Sequence, residues 1–150
     1  MTIVTINKKF ESIANKTQEF SWTLLRILSS LMFLVGHGYG KMFGERAQPF
    51  LYEAGSGMDF FGINVGINML WIAGAIEFFG GILLALGLFT RWIALLAAIL
   101  MVMAYVAAHW AWFPTLNRGE LATMYFMVYL AIFAYGPGRY SLDYMLFGRK

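Results

Sequence analysis

Cysteine is absent from this chain of 150 residues, and its absence removes disulfide exchange, thiolate nucleophiles and iron–sulfur ligation by the chain itself. Charge is scarce too: Asp, Glu, Lys and Arg make up 13% of the residues, against ~25% in soluble domains. There is no nucleotide-binding motif, and the two histidines and the acidic residues lack a compact metal-ligand spacing, so no intrinsic cofactor and no metal are expected. The three prolines, Pro49, Pro114 and Pro137, fall in connections or in the tail. A net charge of +3, with the basic residues gathered at the edges of apolar runs, gives no case for nucleic acid.

What is abundant is apolar surface. Hydrophobic residues are 60% of the chain and aromatics 18%, which describes an integral membrane protein whose partner is the lipid bilayer. The expected fold is all-α, a single domain over 1–150. It is an antiparallel up-down-up-down four-helix bundle with spans at about 22–40, 68–88, 92–112 and 121–136. The first sixteen residues lack the continuous apolar core that signal-peptide cleavage needs, so the amino terminus is expected to stay on. A stretch at 10–20 either lies along the membrane interface or leads in from water.

The second span, Asn68 to Leu88, carries one charged residue, Glu77, near its middle. A carboxylate at a helix centre costs roughly 2.5 to 3.5 kcal/mol on insertion scales, so it must face protein or water. At ~100° per residue, Ala73, Glu77, Gly80, Gly81, Leu84 and Gly87 share one face, and small residues in a membrane helix mark close packing. Glu77 is read either as a protonated acid bonding a neighbouring helix or as a proton or substrate group.

The first span has its own polar stripe, Arg26, Ser30, Phe33, His37, Gly40 and Lys41. One turn apart, His37 and Lys41 suit a carbonyl-bearing or anionic group: the imidazole exchanges a proton and the ammonium supplies charge. The alternative is that Lys41 snorkels to headgroups. The connection from Met42 to Gly66 is long and partly apolar, and is expected either to fold back over the bundle or to dip into the interface, in position to cap a cavity. In the third span Ala94, Ala97, Met101, Ala104 and Ala108 make a packing stripe, with His109 beside it. Asn117 is placed to cap the fourth span, which Glu120 opens. Arg139 and Asp143 are expected to form an ion pair that fixes the tail.

Lys8, Lys9, Lys16, Arg26, Arg91, Arg139, Arg149 and Lys150 fall on one side of these spans, and Lys41, Arg46 and Arg118 on the other. That bias predicts both termini in the cytoplasm of a multi-pass bacterial inner-membrane protein. It gathers His37, Lys41, His109, Asn117, Arg118 and Glu120 at the outer end, above Glu77.

Three stretches give the chain a resemblance. They are Gly36-His37-Gly38 with Lys41, then Glu77-Phe78-Phe79-Gly80-Gly81 leading to Gly87-Leu88-Phe89-Thr90-Arg91, and the tail from Gly136 to Asp143. In order and spacing they resemble the DoxX family of small four-helix bacterial membrane proteins, over about Leu24 to Leu146. The resemblance implies a link to membrane redox chemistry, since relatives include a subunit of a thiosulfate:quinone oxidoreductase, although many members have no assigned reaction. It also marks Lys41, Glu77 and Arg91 as family features. Other familiar four-helix redox proteins pass electrons through paired thiols, which this chain lacks.

Two readings follow. The first is a membrane subunit of a quinone-linked or redox-associated oxidoreductase system that holds a quinone or lipid-like substrate near the outer face. In it Glu77, His37 and His109 are the catalytic candidates, while Lys41, Arg91, Glu120, Asn117, Trp110 and Tyr105 are the substrate-binding candidates, with Phe33, Phe78 and Phe79 lining the slot. Quinone is the cofactor this reading admits, and a redox partner subunit or a homodimer its partners. The second is a non-catalytic membrane anchor or assembly factor for a soluble redox enzyme. A transporter would need a dimer, and no internal repeat supports one.

Overall fold

The first helix does not stop at the width of a membrane. In this computed structural model, which describes residues 3–45, 47, 49–51, 59–60, 63–64 and 68–148, α1 runs Ile3–Phe33 and continues through a π-helical turn, Leu34–Gly38, into α2, Tyr39–Met42. The apolar segment within it, Thr5–Met42, has 38 residues and is about 57 Å long, nearly twice the ~30 Å of a hydrocarbon core. Its first half is exposed, including Ile6, Phe10, Ile13 and Phe20.

After a two-residue antiparallel ladder, β1 (Asp59–Phe60) with β2 (Ile63–Asn64), come α3 (Met69–Leu86), α4 (Thr90–Ala108), a 3-10 turn (Pro114–Asn117), α5 (Glu120–Tyr135) and α6 (Leu142–Phe147). Among the described residues three helices are long and apolar enough to cross a membrane: Thr5–Met42, α3 and α4. The apolar α5 is shorter, at 16 residues. Most of the 42–66 connection lies outside the described residues. Of the part described, Phe50 stacks edge-on against Trp71 with ring centres 4.7 Å apart, and its carbonyl accepts from Asn68 N.

Capping explains the helix ends. The Asn68 side chain accepts from Leu70 N and Trp71 N and starts α3. Gly87, at φ 71°, ends it in the left-handed region that suits glycine. The Asp143 carboxylate accepts from Phe89 N and Thr90 N, both at 2.8 Å, and so caps α4 from the tail. The expected Arg139–Asp143 ion pair is not formed. Asp143 satisfies helix N–H groups, and Arg139 instead donates its backbone N–H to Glu19. Asn117 does not cap α5 either, since Gly119 occupies the cap position and contributes no side chain.

α3 packs on α1 and α4, α4 packs most extensively on α5, and α5 closes back on α1. The core is Phe33, Leu84, Ala94, Ala97, Ala98, Met101, Tyr125, Tyr129 and Ile132. Two arginines tie the same end of this assembly together. Arg26, 1% exposed, donates to the carbonyls of Leu84, Ala85 and Tyr140. Arg91 donates to those of Phe133 and Ala134. Each guanidinium supplies donors to carbonyls in the last turn of a helix, where intrahelical partners run out; Leu84 O also accepts from Gly87 N.

Close approach between α1 and α3 depends on glycine at particular positions. A Cβ on Gly38 would lie 2.5 Å from Phe78 N and 2.8 Å from the Glu77 carbonyl carbon, against backbone that cannot yield, whereas one on Gly36 meets nothing within 4 Å. Gly38→Ala should therefore cost about 1–3 kcal/mol by forcing the helices apart. Gly36→Ala should be neutral or stabilise by up to ~1 kcal/mol. Unfolding titrations in mixed micelles check both, and equal effects would contradict the packing described.

Candidate functional site: a buried ion pair beside a π-helical turn

The π-helical turn decides what faces inward. In a regular helix the residue four after the buried Phe33 would be His37, but the wider turn carries the buried row to Gly38 instead. With no side chain, Gly38 sits directly on the backbone of Glu77 and Phe78. His37 is turned toward α5, where its ring meets Tyr125 edge-on at 5.8 Å. One turn later Lys41 reaches across to α3.

There its Nζ donates to Glu77 Oε1 at 2.6 Å. This is an ion pair, and its two members are unequally buried. The Glu77 side chain is 4% exposed, the Lys41 side chain 28%. Gly74 makes room for the lysine stem, since a Cβ there would fall 2.7 Å from Lys41 Cβ. The second carboxylate oxygen, Glu77 Oε2, is buried with no hydrogen-bond partner among the described residues, an arrangement that low-dielectric surroundings make costly.

Tyrosines face this carboxylate from α5. Tyr125 and Tyr129 stack with ring planes 12° apart and both lie close enough to Glu77 to feel its charge. Phe33 packs on both rings, and the Tyr129 hydroxyl donates to Ser29 O at 3.3 Å. On the other side of the pair, Phe78 makes edge contacts with Phe43 at 5.1 Å and Phe79 at 5.2 Å. Phe43 and Phe79 are each more than half exposed. The result is an aromatic shelf beside a partly open ammonium.

The remaining sequence candidates lie elsewhere. His109 Nδ1 is 3.0 Å from Asn117 O, the Tyr105 hydroxyl donates to Ala111 O, and Tyr105 and Trp110 rings are 6.4 Å apart. These residues build the turn between α4 and α5. Asn117 and Glu120 are exposed there. Arg91 is bound to carbonyls at the opposite end of the helices from Lys41. Phe33 is fully enclosed in the core, so it lines no open slot. The structure thus unites Lys41, Glu77 and Phe78, with His37 one ring away across Tyr125. Among the described residues no group of three or more His, Cys, Asp or Glu is placed to hold a metal.

The model of the DoxX family matches residues 21–110, more than half of the chain. The chain belongs to the DoxX family. An uncharacterized protein of Haemophilus influenzae is 36% identical over 137 residues, covering 88% of this chain and 95% of the relative. No solved structure gives a significant match. As a DoxX family member with apolar helices of spanning length, this is a membrane protein. The matched DoxX stretch includes Arg26, His37, Lys41, Glu77 and Arg91, and ends before Tyr125, Tyr129 and Asp143.

The sequence reading missed Tyr125, Tyr129 and the direct Lys41–Glu77 bond. A spacing of four between the tyrosines on an apolar helix was the available signal for the first two, because a hydroxyl inside a bilayer needs a partner. Arg26 belongs to the polar stripe read on the first span, and the structure buries it.

Proposed function

We propose that this DoxX protein is the membrane subunit of a quinone-linked or redox-associated oxidoreductase system, and that it holds the carbonyl end of a quinone or lipid-like substrate at Lys41 and Glu77. In this reading the four long helices form an antiparallel bundle that crosses the bacterial inner membrane four times with both termini in the cytoplasm, and the site opens near the outer face. The observation that carries it is the half-open ion pair. Glu77 is buried with one oxygen unpartnered, while Lys41 remains reachable beside the rings of Phe43, Phe78 and Phe79.

A flat apolar headgroup stacks on that shelf and accepts a hydrogen bond from Nζ, and Glu77 takes or returns the proton that accompanies its reduction or oxidation. His37, turned to Tyr125, is the second proton-exchanging group. The electrons come from a partner subunit, since the chain has no thiol.

The experiment is binding of a short-chain quinol analogue to protein reconstituted in lipid. Losing a charge-assisted hydrogen bond of ~1.5–3 kcal/mol should weaken binding by about ten- to a hundredfold in Lys41→Met and Glu77→Gln. Absence of binding by the folded protein overturns the reading. It would leave the alternative, a non-catalytic anchor for a soluble redox enzyme. The exposed apolar residues Ile6, Phe10, Ile13 and Phe20 on the first half of α1 favour that alternative.

A further inference from the structure

Several of the buried polar side chains line up along α1. Following α1 from the Lys41 end, Glu77, Tyr129, Ser30, Ser29 and Arg26 succeed one another inside the helices, and none is more than 8% exposed. Polar groups at membrane depth are expensive, and a row of them marks a path for ions or protons.

The links in the row differ in kind. Lys41 is partly exposed and donates to Glu77, so a proton can pass from Nζ to Oε1. That step leaves a neutral amine beside a neutral carboxylic acid, and the amine takes a proton from water on its own side. Beyond Glu77 the path fails twice. The Tyr129 hydroxyl donates to a backbone carbonyl, Ser29 O, which accepts a hydrogen bond and cannot pass a proton on. The Ser29 and Ser30 hydroxyls both donate away from it, to Arg26 O. Arg26 itself keeps its charge at all ordinary pH. It is held by carbonyls from α3 and the tail, and a fixed positive charge repels a proton entering from the far side.

We propose that Glu77 exchanges its proton with one face of the membrane only, the face at which Lys41 lies, and that the Arg26 guanidinium closes the route to the other. This holds whatever molecule the ion pair serves. Besides Lys41, the titratable groups facing Glu77 are Tyr125 and Tyr129 from α5, with His37 behind Tyr125.

The test uses the full chain in liposomes that contain a trapped pH-sensitive dye, with proton entry driven by a valinomycin potassium potential. Wild-type vesicles should be as tight as protein-free ones. Arg26→Gln removes the charge and leaves room for water, and should raise the initial rate at least about tenfold, which corresponds to ~1.4 kcal/mol of barrier. Arg26→Lys should remain tight, and Arg26→Gln with Glu77→Gln should lose most of the leak. A conducting wild type, or a folded Arg26→Gln protein that stays tight, overturns the proposal. If Arg26→Gln does not fold, wild type and Glu77→Gln decide it in vesicles of one orientation. The infrared carboxylic-acid band that Glu77→Gln removes should follow pH on the Lys41 side alone, and a response to pH on the Arg26 side overturns the proposal.

Discussion

Lys41→Met should destabilise the protein by about 2–4 kcal/mol, and adding Glu77→Gln should restore most of that loss. Removing one member of a buried ion pair strands the other, at a cost of ~3–5 kcal/mol when both are fully buried. The Lys41 side chain is 28% exposed, so water screens part of the interaction and the lower range applies. Methionine keeps the stem that packs over Gly74 but leaves Glu77 with neither oxygen bonded, since Oε2 already lacks a partner. Glutamine in place of the stranded acid removes the charge, and the double variant should lie within ~1 kcal/mol of wild type. The measurement is unfolding of all four proteins in mixed micelles of lipid and detergent. Strict additivity of the two single changes would mean that the pair has no energetic coupling.

Arg26→Leu should have an effect at least as large, about 3–5 kcal/mol. The guanidinium donates to three carbonyls, of Leu84, Ala85 and Tyr140; each charge-assisted hydrogen bond lost costs ~1.5–3 kcal/mol, although Leu84 O still accepts from Gly87 N. Two of them belong to the last turn of α3 and one to the tail, so the loss should spread beyond the first helix. Faster amide exchange is expected around Gly87, against which the guanidinium and Ser141 both pack, and around Ser141. Arg26→Lys should recover less than half, because an ammonium has no planar fork to reach carbonyls on two segments. Unaltered exchange at Ser141 in a destabilised Arg26→Leu protein would show that the tail is held by Asp143 and Trp22 instead. Those contacts are Asp143 to Phe89 N and Thr90 N and Trp22 Nε1 to Gly136 O.

The helical, membrane character of the chain was legible from composition and from apolar runs, because lipid leaves backbone N–H and C=O groups no partner but one another. The inward face of α3 was legible as well: Glu77, Gly80, Gly81 and Leu84 are all buried, as the 3.6 period requires. The same wheel misled in the first helix. It put His37 in line with Phe33, and the π-helical turn moved Gly38 there. Neither Leu34 nor Val35 announces such a turn, which arises from how closely α1 must approach α3. At the tail, Arg139 and Asp143 are four residues apart and read as a pair. The free N–H groups at the start of α4 took the carboxylate, since a helix N-terminus offers two aligned donors.

The sequence alone determined that this chain lives in lipid, that a single acid sits in the middle of an apolar helix, and which side of that helix meets protein. Periodicity and transfer energies act locally, residue by residue, and can be read without knowing any neighbour. Only the tertiary structure decided that the acid's partner is Lys41, thirty-six positions earlier, that Tyr125 and Tyr129 of α5 stack against Phe33 of α1, and that Arg26 binds the carbonyls of Leu84, Ala85 and Tyr140. Those are contacts between segments distant in the chain. They are set by how near two backbones can come, and at Gly38 and Gly74 that distance is fixed by the lack of a side chain.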